Sequence, residues 1–471
     1  MADRWDAVAT ASATAGGEVS AREVVETAIA RIEKLNGELN AVIHTRFDEA
    51  LAEVDAGLPD GPLRGVPVLV KDLGTQVAGL PATSGSRLFA DAVSTRDSEL
   101  VKRYRRAGMV VLGTTNTPEF GLNSSTEPAL YGPTRNPWGT GHSPGGSSGG
   151  SAAAVSAGMV PVAHASDGGG SIRIPSAACG LFGLKPGRGR VSPAPRPTTL
   201  SALVSGHHAV TRTVRDSALL LDIAAGPLPG DAYAAPAPAG PFAVCARRDP
   251  GPLRIGLLTS LPDGPEVHPE PLRAVLDAAG VCETLGHRVF EVVAPYRPGD
   301  VGATSAVLMG ADVVTQIDGR LQQLGRPLAD DDIEPFTRVV YDHYRALTAA
   351  DVSRALRRVQ EIGWQVGAAF DAYDVLLSPT LPQPTPRLGT LDTRRPETVH
   401  EHAAVQSAFT SVHNVTGMPA MSVPFGRDGD GLPLGVQFAA PAGGEGLLLA
   451  LAAQLEQAAP WDLDAPFPAG K

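Results

Sequence analysis

Two serines set in glycine mark where this chain can do chemistry. Ser147 lies within Ser143-Pro144-Gly145-Gly146-Ser147-Ser148-Gly149-Gly150-Ser151, and Ser171 closes the run Ser166-Asp167-Gly168-Gly169-Gly170-Ser171. Glycine lets main chain come close to a ligand and adopt positive φ, so both runs read as loops where backbone meets substrate. A third group, Lys71, stands directly after the apolar run Val66-Pro67-Val68-Leu69-Val70. The chain has 39 Lys plus Arg, of which only Lys34, Lys71, Lys102, Lys185 and Lys471 are lysine. Arginine carries the surface charge, and a lysine at the end of a buried strand stands out. Lost hydration disfavours its charged form and lowers its pKa by up to ~3–5 units when burial is complete. A neutral amine of that kind accepts a proton at neutral pH. Simple pairing with Asp72 is the competing reading, since structural ion pairs also perturb pKa values. The two serine loops favour a serine hydrolase with a lysine base.

The elements that must position these groups alternate between helix and strand, as in an α/β protein. Ser20-Ala21-Arg22-Glu23 is a capping box, opening a helix whose Val24, Val25, Ala28, Ile29, Ile32 and Leu35 share a face. Residues 66–70 read as the strand that ends at Lys71. Residues 98–107 read as a helix and 109–113 as a second strand. Small residues from Ser151 to Ala163 suggest a buried helix joining the two serine loops. Further on, a helix is expected over 214–225, a strand over 254–258, helices over 271–285 and much of 303–370, and a strand over 375–378. The Pro/Ala/Gly-rich stretch 226–252 reads as an exposed connection without a packed core. Asp330-Asp331-Asp332 reads as a solvated helix start, where carboxylates suit the dipole.

Composition narrows the class. With 471 residues, 43% hydrophobic and 19% charged, the chain can bury a large core; the functional pieces are spread so widely that a single domain over 1–471 is expected. A net charge of −11 argues against nucleic acid, whose phosphates want clustered Lys and Arg. Cys179, Cys245 and Cys282 cannot all pair and read as free thiols. The first residues, with Asp3, Arg4 and Asp6, lack an apolar leader, and no run reaches ~18 apolar residues, so a cytoplasmic protein without membrane contact is expected.

Rival motifs fail on their context. Gly146-Ser147-Ser148-Gly149-Gly150 satisfies G-x-S-x-G with Ser148 as nucleophile, but that elbow needs a preceding strand, and residues 136–144 are turn formers. A phosphate loop would need lysine where Ser151 stands. His164 sits in an apolar run and reads as a packed core histidine. His207-His208, His400 and His402 lack the companions of a metal site. No metal or cofactor is called for.

The whole pattern resembles the amidase signature family of serine amidohydrolases. The resemblance rests on Lys71 in Gly65-Val66-Pro67-Val68-Leu69-Val70-Lys71-Asp72, on Gly145 to Ser151, on the Ser166–Ser171 loop, on Asn116-Thr117-Pro118-Glu119-Phe120, on Cys179 to Pro186 and on Gly417 to Pro424. It spans nearly the whole chain and is weakest over 303–357. One departure is Gly168, where the family commonly has threonine.

The family's fold and mechanism then follow as expectations. The fold implied is a large mixed twisted β-sheet covered by α-helices on both faces, with residues 60–225 as the signature core and 303–370 as a variable helical pocket region. Ser171 is implied as nucleophile, Ser147 as proton relay beyond a cis peptide after Gly146, and Lys71 as base. Backbone N–H groups of Gly168, Gly169, Gly170 and Ser171 are implied as the oxyanion hole. Ser148, Asp167 and Arg173 are expected to brace these groups. Leu122, Asn123, Ser124 and Met309 are implied as pocket residues, with Trp364 and Phe370 suggesting an apolar acyl or aryl group.

The subgroup resembled is that of bacterial non-peptide amidases, the nylon-oligomer hydrolases and urethane-cleaving relatives. Met309 stands where members acting on the nylon cyclic dimer carry a cysteine. The partner implied is a small amide, carbamate or ester, handled by a monomer or homodimer. Two alternatives stand beside this reading. A glutaminase subunit of a tRNA-dependent amidotransferase needs an acid near Gln406-Ser407-Ala408-Phe409, where none stands; a non-catalytic binding protein of the same fold would not need all of Lys71, Ser147 and Ser171.

Overall fold

The computed structural model describes residues 6–196, 200–463 and 465–467. Asp3, Arg4, Lys471 and the side chain of His400 lie outside the described residues. Among the described residues, eleven strands form one sheet. In chain order they are β1 (Val42–Thr45), β2 (Pro67–Lys71), β3 (Val110–Thr115), β4 (Val162–Asp167), β5 (Phe182–Lys185), β6 (Gly206–Thr211), β7 (Arg254–Leu257), β8 (Arg288–Glu291), β9 (Val375–Pro379), β10 (Ala420–Arg427) and β11 (Pro433–Ala439). Across the sheet they run β1-β3-β2-β4-β6-β5-β10-β11-β9-β7-β8. β2 lies parallel to both β3 and β4, β7 lies parallel to β8 and β9, and the remaining pairs are antiparallel.

Helices cover both faces because successive strand residues point to opposite sides. In β2, Leu69 joins a cluster with Val25, Ile32 and Leu35 of helix Ala21–Leu39 and with Ala152 to Val155. Its neighbours Val68 and Val70 join the opposite cluster, with Leu100, Val101, Tyr104, Leu220 and Ala224. A strand covered on both faces reads as the continuous apolar run seen in the sequence. The capping box forms as expected: the Ser20 hydroxyl accepts from the Glu23 N–H, and the Ser20 N–H donates to the Glu23 carboxylate at 2.8 Å.

Four expectations need correction. The helix between the serine loops covers only Gly149–Ser156; Gly158, at φ +74°, turns the chain, and β4 starts at Val162. The stretch 226–252 is interrupted by a packed segment, with exposed residues on either side of it. Phe242 and Cys245 are buried, and Phe242 packs into the cluster formed by Phe182, Val436 and Phe438. Asp330–Asp332 is a turn, since the next helix begins at Pro335; Asp332 pairs with Arg326 at 2.6 Å and accepts from the Ala329 N–H. Trp364 is 68% exposed.

Candidate active site

β2 and β4 run in parallel, with Val68 opposite Val162 and Leu69 opposite Ala163, so they end together at one edge of the sheet. That edge is where open α/β sheets place their ligands. Lys71 ends β2, and β4 ends at Asp167, immediately before the triple-glycine loop. Between them, helix Gly149–Ser156 is buried along its whole length; its alanines and glycines let it lie against the sheet. Its amino-terminal approach carries Ser147 and Ser148 to the same edge. A close approach explains Gly146, because a Cβ there would lie 2.7 Å from the Asn123 carbonyl oxygen. The Gly146–Ser147 peptide bond is cis, as the family resemblance implied.

Lys71 is inaccessible to solvent, and its Nζ lies 2.7 Å from Ser147 Oγ, 2.8 Å from Ser148 Oγ and 3.0 Å from Ser166 Oγ. Burial pushes its pKa down to about 7, against an opposing pull from the Asp167 carboxylate. Asp72 is not its partner. The Asp72 carboxylate accepts from the Thr83 backbone and hydroxyl, and burial pushes its pKa up to about 7. Proton accounting then assigns the hydroxyls. Ser148 donates to the Ser166 carbonyl at 3.1 Å, so its oxygen accepts from Lys71. Ser147 Oγ has no other hydrogen-bond partner among the described residues, which leaves its proton free for the amine's lone pair. Ser148 thus contacts the amine through its oxygen and spends its own proton on the Ser166 carbonyl.

Ser171 and Ser147 open onto the same cleft. Ser171 Oγ makes no hydrogen bond among the described residues. The loop before it is held by Asp167, whose Oδ1 accepts from the Gly170 N–H at 2.7 Å and whose Oδ2 accepts from the Ile172 N–H at 3.1 Å. This corrects one expectation: Gly170 spends its donor on Asp167 and cannot face an oxyanion. The N–H groups of Gly168, Gly169 and Ser171 have no acceptor among the described residues and remain available. Gly170 is required for its φ of +137° and because a Cβ there would lie 2.5 Å from Thr410 Oγ1.

Asp167 and Arg173 are both fully buried and form an ion pair, with Arg173 Nη2 2.9 Å from Asp167 Oδ1 and Nε 2.9 Å from Oδ2. The guanidinium holds the Asp167 carboxyl well below the usual carboxylate range, despite burial. Arg173 also donates to the Thr410 carbonyl, Gln437 and Asn414. Thr410 Oγ1 and Asn414 Nδ2 donate in turn to the carbonyls of Gly169 and Asp167. Sequence reading missed Thr410, Asn414 and Gln437. The signal was present in Arg173 itself, because a guanidinium in an otherwise apolar run needs several acceptors.

The cleft has an apolar wall of Leu73, Phe120, Met309 and Val313 and a polar wall that includes Arg196, His207, Asp312 and Gln316. Met309 is in the expected place: its methyl group lies 3.5 Å from where a Cβ on Gly168 would stand. The other three expected pocket residues are elsewhere. Leu122 packs on Leu88 and Phe120 under helix Pro298–Leu324, Asn123 donates to the Leu391 carbonyl, and the Ser124 backbone abuts Gly146. They support the cleft from behind. Phe370 lies with Tyr373 in another cluster. His164 is the buried structural residue expected. Its Nδ1 accepts from the Lys71 backbone N–H at 3.2 Å, so its proton lies on Nε2, 3.2 Å from His207 Nδ1 and from Thr75 Oγ1. Burial lowers the pKa of His164, and that of His207 to about 4, so both are neutral.

Comparison with known proteins agrees with this geometry. A family model described as Amidase matches residues 23–449. The chain is 40% identical over 475 residues to the 6-aminohexanoate-cyclic-dimer hydrolase of Pseudomonas sp. (strain NK87), covering 98% of this chain and 96% of that one. The solved structure of a 6-aminohexanoate cyclic dimer hydrolase complexed with substrate superposes with a TM-score of 0.91 at 38% identity, covering 97% of each chain. A bacterial aryl acylamidase of the amidase signature enzymes superposes with a TM-score of 0.90 at 29% identity over 100% of both.

Proposed function

The chain belongs to the amidase signature family, and from that premise we propose that it hydrolyses C–N bonds of small non-peptide carboxamides through a covalent acyl-enzyme. The observation that carries this reading is the fully buried Lys71 amine, 2.7 Å from Ser147 Oγ, at a cleft that also receives Ser171. Ser171 Oγ attacks the substrate carbonyl carbon. Its proton passes to Ser147 Oγ as the proton of Ser147 moves to the neutral Lys71 amine. The new oxyanion accepts from the free N–H groups of Gly168, Gly169 and Ser171, where each such donor is worth ~2.7–4 kcal/mol of barrier. Collapse breaks the C–N bond while the proton returns through Ser147 to the departing nitrogen. Water then repeats the attack on the acyl-Ser171 ester and frees the acid. The same tetrahedral chemistry extends to carbamates and esters.

Two features support small, partly apolar substrates: the wall of Leu73, Phe120, Met309 and Val313, and the similarity to an aryl acylamidase and a cyclic-dimer hydrolase. A panel of p-nitroanilides, carbamates, esters and glutamine tests the reading. Wild-type protein should turn over anilides; Ser171→Ala should lose about 10⁴-fold or more in kcat and all labelling by a fluorophosphonate. Retained turnover or labelling in that variant would overturn the assignment.

A further inference from the structure

Arg196 and Asp312 face one another across the polar side of the cleft, brought together from the loop before β6 and from helix Pro298–Leu324. Arg196 Nη2 lies 3.6 Å from Asp312 Oδ2, an ion pair too long for a hydrogen bond. The same Oδ2 accepts from Gln316 Nε2 at 2.7 Å, which fixes the carboxylate. Among the described residues, Asp312 Oδ1 accepts no hydrogen bond and the Arg196 guanidinium donates none. Both side chains are largely covered, at 26% and 18% exposure. A half-buried charge pair with spare donors beside a spare acceptor is costly unless something completes it.

We propose that Arg196 and Asp312 form a subsite for a second, neutral amide-type group of the substrate, its carbonyl accepting from Arg196 and its N–H donating to Asp312. This inference rests on the amidase reading of the same cleft. Charge selects the class of group. A lone carboxylate would meet Asp312 and a lone ammonium would meet Arg196, whereas a neutral group with adjacent acceptor and donor, a carboxamide, urea or carbamate, suits both without carrying charge into the cleft. Position sets the spacing. Met309 overhangs Gly168 beside the oxyanion loop, and Asp312 lies three residues further along the same helix, about 4.5 Å along its axis. The second group is therefore a few bonds from the scissile carbonyl. The resulting substrate is a diamide or amide-urea rather than a simple alkyl amide.

Binding to the Ser171→Ala protein tests this without depending on turnover. Four anilides with the same short acyl chain, ending in a carboxamide, a carboxylate, an ammonium or a methyl group, are compared by calorimetry. The carboxamide should bind tightest. Adding Arg196→Met or Asp312→Asn should weaken its binding about 10-fold, while the methyl-ended anilide should change by less than about twofold. Tightest binding of the carboxylate or ammonium, or equal losses for carboxamide and methyl chains, would overturn the subsite. Hydrolysis of the same anilides by wild-type protein decides the catalytic reading separately.

Discussion

Lys71 is held in a state that suits chemistry and opposes stability. Its native pKa is pushed down to about 7, whereas an exposed lysine titrates near 10.4. Between these values the unfolded chain binds a proton that the native state rejects, so native stability rises with pH across that window. Wild-type stability relative to Lys71→Met should therefore rise between about pH 7 and pH 10, as measured by urea unfolding at each pH; a constant difference would refute a depressed pKa. Activity carries the same signature. The base must be neutral, so kcat/KM should rise as pH passes about 7 and level off above it. A profile flat from pH 5 to 9 would remove Lys71 from the proton path. This behaviour was legible from the residue alone, since a rare lysine after five apolar residues can hardly be solvated. The hydroxyl assignments were not, because only coordinates reveal that Ser148 spends its proton on the Ser166 carbonyl.

The nucleophile loop is shaped by a neighbour in sequence and braced by partners far from it. Asp167 gathers the N–H groups of Gly170 and Ile172 and is fixed by Arg173, whose remaining donors reach Thr410, Asn414 and Gln437. Asp167→Asn would leave that guanidinium buried without its counter-charge, so a loss of roughly 3–5 kcal/mol is expected in chemical denaturation. The loop would also loosen, lowering kcat more than it raises KM. A variant with normal stability and kcat would show that the ion pair is dispensable.

Sequence patterns served unevenly at the scale of elements. Strands β2 and β9 and the capped helix from Ala21 could be read because apolar runs and caps are local signals. The helix after Ser148 was read too long, because alanine-rich composition does not register the left-handed turn at Gly158. The connection 226–252 hid an anchor for a related reason: composition averages over a stretch, while a short run from Phe242 to Ala246 does the packing. Pocket residues were hardest. Leu122, Asn123 and Ser124 lie close in sequence to the N-T-P-E segment, yet cleft exposure depends on where helix Pro298–Leu324 crosses.

The two halves of the chain meet inside the sheet, between β5 and β10, rather than across a linker. β5 also pairs with β6, and the cluster beneath it draws Phe182 and Leu184 together with Ile255, Leu377 and Phe438. Arg173, which fixes the catalytic loop from the first half, finds acceptors at Thr410, Asn414 and Gln437 in the second. The first half cannot by itself supply all the acceptors of its buried Arg173. A fragment ending at residue 225 would expose one side of β5 as an unpaired edge and leave the guanidinium short of acceptors, both of which favour aggregation over folding. The single domain proposed for residues 1–471 therefore has a direct test. Calorimetry of the whole chain should give one transition with calorimetric and van't Hoff enthalpies in agreement, and the fragment 1–225 should give no cooperative transition. Two resolved transitions, or a fragment that melts cooperatively, would mean that the catalytic strands form a unit of their own, and the long-range bracing of Asp167 and Arg173 would then be an addition to the site rather than a condition of it.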